Sequence, residues 1–354
     1  MNTKSVIFTP GPQKVEGILD KERAVFHRSY EMQNLIAELV AEMKTYFKKQ
    51  HAYLYPIPGT DVIDLFIRSV DKKQQKCAGL INTGYWAHNI ANVLEGNNIK
   101  VNEYARDIFN KSEAELVEIF SQEPATVFYA IASETSTGEF FNYKNIYKAL
   151  KKTGKYLFMD AISLPVFYFE GNDKYNFDAD FTIYSSAKTF HAMPGFNFIV
   201  TDIDVATEPL FSNASYSSLK LYADFLKKNQ FPNTINTLLF MDFKKCFEYT
   251  IFNIPQIKAK IKNLREHLLQ KLNDKEIIYL NQEHDAVTNL MALKLPDYMV
   301  SDEFMKFTEA QNLFVGRDLM GQNSIRVCFN SYNTIAEVDF LIKLIKDFKK
   351  ISLK

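Results

Sequence analysis

Apolar and polar residues alternate along this chain with two different periods, and the switch between them lays out a fold. Residues 29–49 carry Met32, Leu35, Ile36, Leu39, Val40, Met43 and Phe47 on one stripe, the spacing of an amphipathic helix. An apolar stretch follows from Tyr53 to Ile57, then a turn at Pro58-Gly59-Thr60, then a second helical stripe through Val62, Leu65, Phe66 and Val70. From there to about residue 202, short apolar runs alternate with helical segments. Strands are predicted over 79–82, 100–104, 126–131, 156–159, 181–184 and 197–201, with helices over 86–94, 112–121 and 143–152. This alternation predicts a mostly parallel sheet covered by helices on both faces.

The pattern then changes. Residues 215–250 read as helix, interrupted at Gln230 to Thr234, and a long amphipathic helix runs from Ile254 to Leu272. Beyond it, strand-like 286–295, helical 301–310, strands 313–315 and 324–329 and a closing helix 334–349 predict a smaller α+β unit. We therefore expect an arm over 1–15, a large domain over 16–250 and a small C-terminal domain over 251–354. The arm could pack on either domain. No internal repeat or low-complexity linker is visible.

Composition narrows the function. The 42 Lys+Arg balance 42 Asp+Glu, which argues against an extended nucleic-acid surface. Cys77, Cys246 and Cys328 are widely separated and odd in number, which fits a reducing compartment and excludes a metal-like spacing. No apolar run suits a signal peptide or a membrane span, so a cytoplasmic protein without a membrane partner is expected.

The chemistry gathers at predicted strand ends, where ligands of such sheets collect. Lys188 lies just past the strand 181–184, after Ser185 and Ser186 and before a Pro194-Gly195 turn. About 28 residues upstream, the run Tyr156 to Met159 ends in Asp160. A lysine and a carboxylate at neighbouring strand ends are what pyridoxal phosphate requires. The lysine forms the Schiff base, and the carboxylate keeps the pyridine nitrogen protonated. Pro58-Gly59-Thr60 opens a helix and offers a phosphate cup. Trp86, the only tryptophan, follows a strand and could stack on a pyridine ring or simply fill the core. The turn 133–138 offers hydroxyls, or is an ordinary polar turn. Arg326 sits in an apolar strand, so it is paired within the protein or aimed at an anion.

Together these motifs resemble the class V branch of fold-type I pyridoxal-phosphate aminotransferases over nearly the whole chain. The resemblance rests on Thr9-Pro10-Gly11-Pro12, His27-Arg28-Ser29, Gly59-Thr60, Gly84-Tyr85-Trp86, Glu134 to Gly138, Asp160 to Ser163, Ser185 to Lys188, Pro194-Gly195-Phe196 and Ile325-Arg326-Val327. It implies that the sheet has seven strands, and it implies the following roles. Lys188 carries the Schiff base and moves the proton, and Asp160 pairs with the pyridine nitrogen. Trp86 stacks on the ring and Thr135 meets its phenolic oxygen. Gly59, Thr60 and Ser185 or Ser186 lie near the phosphate, and Arg326 binds the substrate carboxylate. Thr234 reaches the neighbouring subunit's phosphate, which implies a homodimer with shared sites. The implied reaction is ping-pong transamination between a small amino acid or aminophosphonate and a 2-oxo acid or aldehyde.

Two segments, 185–198 and 217–222, resemble 2-aminoethylphosphonate–pyruvate and alanine–glyoxylate aminotransferases. His27-Arg28-Ser29 and Thr83 to Trp86 instead resemble phosphoserine aminotransferase, in which the His-Arg pair helps bind a substrate phosphate. His27 and Arg28 are equally readable as a structural turn. Ala187 and Pro58 depart from the pattern. The first removes a polar side chain beside the lysine, and the second removes a backbone donor from the cup. His191 is a candidate to compensate. A desulfurase-type lyase needs a cysteine on the loop 316–323, which has none, and Cys328 lies within a strand. A non-catalytic homologue is a further alternative, which the joint presence of Lys188, Asp160 and Arg326 argues against.

Overall fold

The computed structural model describes residues 5–10, 25–165, 178–188, 190–212, 217–280 and 289–353. Gly11, Pro12 and the start of the strand expected at 286 lie outside the described residues.

In chain order the elements are β1 (Val6–Phe8), α1 (Tyr30–Phe47), β2 (His51–Tyr55), α2 (Gly59–Ser69), β3 (Cys77–Ile81), α3 (Tyr85–Gly96), β4 (Lys100–Tyr104), α4 (Glu113–Ser121) and β5 (Val127–Ile131). Then come β6 (Ser133–Glu134), β7 (Glu139–Phe140), α5 (Lys144–Lys152), β8 (Tyr156–Asp160), β9 (Phe181–Ser185), β10 (Asn197–Thr201), α6 (Leu219–Leu226), α7 (Thr237–Phe252) and α8 (Ile254–Leu272). The chain closes with β11 (Ile278–Tyr279), β12 (Leu290–Lys294), α9 (Ser301–Glu309), β13 (Leu313–Val315), β14 (Ser324–Cys328) and α10 (Ile335–Ser352).

Helix starts follow from side-chain chemistry. Ser29 accepts from the Met32 amide at 3.1 Å and begins α1, whose buried Met32, Ile36, Leu39 and Met43 are four of the seven residues of the predicted stripe, with Leu35, Val40 and Phe47 half-buried beside them. Ser112 with Glu115, and Thr334 with Glu337, form reciprocal capping boxes at α4 and α10.

The large sheet has seven strands in the order β2-β10-β9-β8-β5-β3-β4, with only β10 antiparallel to its neighbours. Every residue of β3, β5, β9 and β10 is buried, as expected of a sheet covered on both faces. From β3 the chain moves outward to β4, then crosses back to place β5 on the other side of β3. The loops after β3 and β5 therefore diverge, and a crevice opens at the carboxyl ends of the strands.

A second sheet, β11-β12-β14, is wholly antiparallel, and the arm strand β1 pairs in parallel with β13. Phe8 is fully buried and packs edge-on against Phe329. Periodicity missed β1, the short β6–β7 hairpin and β11, which are too brief to carry a repeating pattern.

Candidate active site

The carboxyl ends of β5, β8 and β9 and the amino ends of α2 and α3 surround a cavity of about 600 Å³. Lys188, Asp160, Trp86, Gly59, Thr60 and Ser185 all line it.

Lys188 follows β9 by three residues. Its Nζ donates to Ser163 Oγ at 3.2 Å and lies 5.2 Å from the centre of the Trp86 ring. Burial pushes its ammonium below the ordinary lysine range, and the Asp160 carboxylate pulls only part of the way back. The neutral amine, the nucleophilic form, is thereby favoured. Asp160 ends β8. Burial raises its carboxyl to about 6, against the lowering effects of the Ile162 amide, which donates to Oδ1 at 2.9 Å, and of Lys188.

Trp86 is set by Glu134. The Glu134 side chain is fully buried, and Oε2 accepts from the Trp86 amide at 3.3 Å. Oε1 accepts from the Ser136 amide and hydroxyl at 3.0 and 2.6 Å. Gly84, just before α3, has φ +153°, and a Cβ there would lie 3.0 Å from the Glu134 side chain. Only glycine fits this approach without strain.

Arg326 occupies the middle of β14 and is 6% exposed. Its Nε donates to the Arg317 carbonyl at 2.6 Å and Nη1 to the Thr135 carbonyl at 2.8 Å. These bonds aim the guanidinium at the 133–138 turn and leave further N–H donors for an anion.

The remaining expected residues fall elsewhere. Ser186 is bonded within its own loop, donating to the Met193 carbonyl at 3.0 Å and accepting from the Phe196 amide at 3.4 Å. Of the serine pair, Ser185 is the one on the cavity. His191 is buried against Tyr332, away from the cavity, and burial lowers its imidazole to about 4. Thr234 is exposed and does not line the cavity. Arg28 donates to Gln230 Oε1 at 2.9 Å, and His27 packs on Phe26. Neither His27 nor Arg28 lines the cavity, but Arg28 meets the segment that leads to Thr234.

Sequence reasoning gave no role to Ser163 or Asn197, both of which line the cavity. Ser163 carried no signal beyond its place after Asp160. Asn197 carried one, as an amide opening an otherwise apolar strand.

The family model described as Aminotransferase class-V matches residues 22–341. The chain belongs to the class V aminotransferases. The fold agrees. A ureidoglycine–glyoxylate aminotransferase from Bacillus subtilis superposes with a TM-score of 0.83 at 14% identity, over 100% of this chain and 95% of that one. An alanine–glyoxylate aminotransferase from Nostoc sp. gives 0.81 at 15%, over 98% and 96%. A phosphoserine aminotransferase from Cytophaga hutchinsonii gives 0.73 at 17%, over 97% and 98%. A search among curated proteins finds no match.

Class V aminotransferases depend on pyridoxal phosphate, and the cavity can be tested against that molecule. Two buried polar atoms on the cavity wall have no protein partner, Trp86 Nε1 and Asn197 Oδ1, and Thr135 Oγ1, in the turn beyond β5 and not on the cavity wall, is another buried atom without one. Buried polar atoms are paired as a rule, so such a grouping marks a place for a polar ligand. An uncapped helix start, a buried lysine and a buried carboxylate complete a donor set that fits the phosphate, aldehyde and ring nitrogen of the cofactor. No cluster of metal-ligating side chains occurs among the described residues.

Proposed function

We propose that this class V enzyme is an aminotransferase using pyridoxal phosphate. In this reading it moves an amino group from a small amino acid or aminophosphonate to a 2-oxo acid or aldehyde in two half-reactions. The observation that carries the reading is the meeting of the buried Lys188 amine, the Trp86 ring and the Asp160 carboxyl in one cavity.

The cofactor, when bound, supplies an electron-accepting ring. The protein does the rest. Lys188 holds the aldehyde carbon and, once displaced by a donor, moves the proton at the substrate Cα. Ser163 orients its Nζ between these tasks. Asp160 faces the ring nitrogen and keeps it protonated, and a cation beside it brings its own raised pKa back down. Trp86 covers one ring face, and Thr135 Oγ1 donates to the phenolic oxygen. Gly59, Thr60 and Ser185 hold the phosphate. Arg326 takes the substrate carboxylate as a fork. Thr234 serves the neighbouring subunit of a homodimer.

A narrower reading, transamination of phosphoserine, rests on Arg28 and His27. The bond from Arg28 to Gln230 supports it to this extent: it ties Arg28 to the Thr234 segment, so both would enter the neighbouring site together.

The test is absorbance spectroscopy of the protein reconstituted with pyridoxal phosphate. A lysine adduct should form, and it should convert to the amine form of the cofactor on addition of one of alanine, glutamate, phosphoserine or 2-aminoethylphosphonate. The donor that converts it names the substrate. Failure to form an adduct with Lys188 intact would refute the reading.

A further inference from the structure

Asn197 opens β10, flanked by Tyr55 at the end of β2 and Ser185 at the end of β9. It is 1% exposed. Its Nδ2 donates to the Ile57 carbonyl, and its Oδ1 is buried without a partner. A buried acceptor left unpaired is unfavourable. That cost is recovered when a donor arrives from outside the chain.

The direction of this oxygen is fixed by its neighbour. A Cβ placed on Gly59 would lie 3.2 Å from Oδ1, so the amide stands against the first residue of α2. That helix start has no side-chain cap, because Pro58 occupies the cap position and offers none. Its first two residues, Gly59 and Thr60, line the same cavity as Ser185. Such a helix start attracts an anion. Among the described residues lining the cavity, Lys188 carries the only basic side chain, and it is held by Ser163 and Trp86. An anion seated at α2 is therefore held by neutral dipoles, with one lone acceptor in the wall.

We propose that Asn197 is a positioning residue of the cofactor's phosphate site. Nδ2 fixes the Ile57–Pro58 turn from which α2 starts. Oδ1 accepts a hydrogen bond from the phosphate end of the cofactor, either from a protonated phosphate oxygen or from a water bonded to the phosphate. Asn197 thus offsets the contacts that Pro58 and Ala187 do not supply. The inference rests on the pyridoxal phosphate reading above.

The experiment compares binding of pyridoxal phosphate and of pyridoxal, which lacks the phosphate, to the full chain. Affinities are read from the lysine adduct for the wild type, Asn197→Leu and Asn197→Asp, with melting curves as a check on folding. Asn197→Leu should weaken pyridoxal phosphate by about tenfold or more, the equivalent of one lost hydrogen bond, and leave pyridoxal within about threefold. Asn197→Asp keeps an acceptor but adds a charge, and should weaken pyridoxal phosphate further while sparing pyridoxal. It also serves if the leucine variant does not fold. Equal losses for both ligands would make Asn197 a structural residue and overturn the proposal, as would no loss for either. If the wild type takes up neither ligand, the cofactor reading fails and this inference with it. If the wild type prefers the phosphorylated ligand and both variants keep that preference, this inference alone fails. Phosphorus NMR of the bound wild type separates the two donors: a midpoint raised above the free value of about 6 assigns a protonated oxygen, and an unchanged or absent titration assigns water.

Discussion

A single carboxyl, Asp160, shows how this protein sets stability against chemistry. Burial raises it from 3.8 to about 6 in the protein without cofactor. The stability that its neutral form contributes is fully present below about pH 4 and is lost as pH rises through about 6. Above that, the fold holds a buried charge at a cost on the order of 2–3 kcal/mol. We expect cofactor-free Asp160→Asn to melt higher than the wild type at pH 8 and to match it near pH 4, as calorimetry across pH would show. The same substitution should lower transamination by about 100-fold or more, since the ring nitrogen loses its counter-charge. Lys188 and Asp160 were legible in the sequence because Asp160 ends one apolar run and Lys188 lies just past another. Glu134 and Ser163 were not assigned roles, because what gives them one is a contact between loops that the sheet brings together from distant parts of the chain.

The elements that build the crevice depend on two glycines. Gly79 in β3 pairs with Phe128 in β5, and a Cβ on it would lie 2.5 Å from the Phe128 ring. Gly79→Ala must displace that ring from a fully packed layer. We expect a loss of about 1–3 kcal/mol in denaturant unfolding, with little effect on the cofactor. Gly84→Ala should do the reverse. It strains the entry to α3 and presses on Glu134, so weaker cofactor binding should exceed the loss of stability. At this scale the sequence was most informative. Six of the seven strands of the large sheet were predicted as strands, the seventh, β2, overlaps the apolar stretch that begins at Tyr53, and the caps Ser112 and Thr334 stood at the predicted helix starts. The antiparallel course of β10 was not legible, since a run of five buried residues reads alike in both directions. Nor was the pairing of the arm, because Val6 to Phe8 could have joined either sheet until β13 was placed beside it.

Across the molecule, Arg326 links the two sheets, rising from β14 of the smaller one to the Thr135 carbonyl in the turn beyond β5. Arg326→Lys keeps the charge but loses the fork. We expect KM for carboxylate-bearing donors to rise about tenfold or more, with cofactor affinity held within about twofold. Phe8→Ala removes a fully buried ring from the arm and should cost about 3–5 kcal/mol, visible as a lower melting temperature. No helix among the described residues is long and apolar enough to cross a membrane.

The pairing of β1 with β13 joins segments about 300 residues apart along the chain. During synthesis at about 5–20 residues per second, the arm waits on the order of 15–60 s for its partner strand. Asp160 at the end of β8 and Lys188 just past β9 emerge well before then. The ribosome thus releases the residues proposed for the phosphate and the ring first and Arg326 last. In the proposed reading the groups that take the cofactor are therefore made before the one that takes the substrate, and a cofactor bound that early stabilises the large sheet while the arm finds its place.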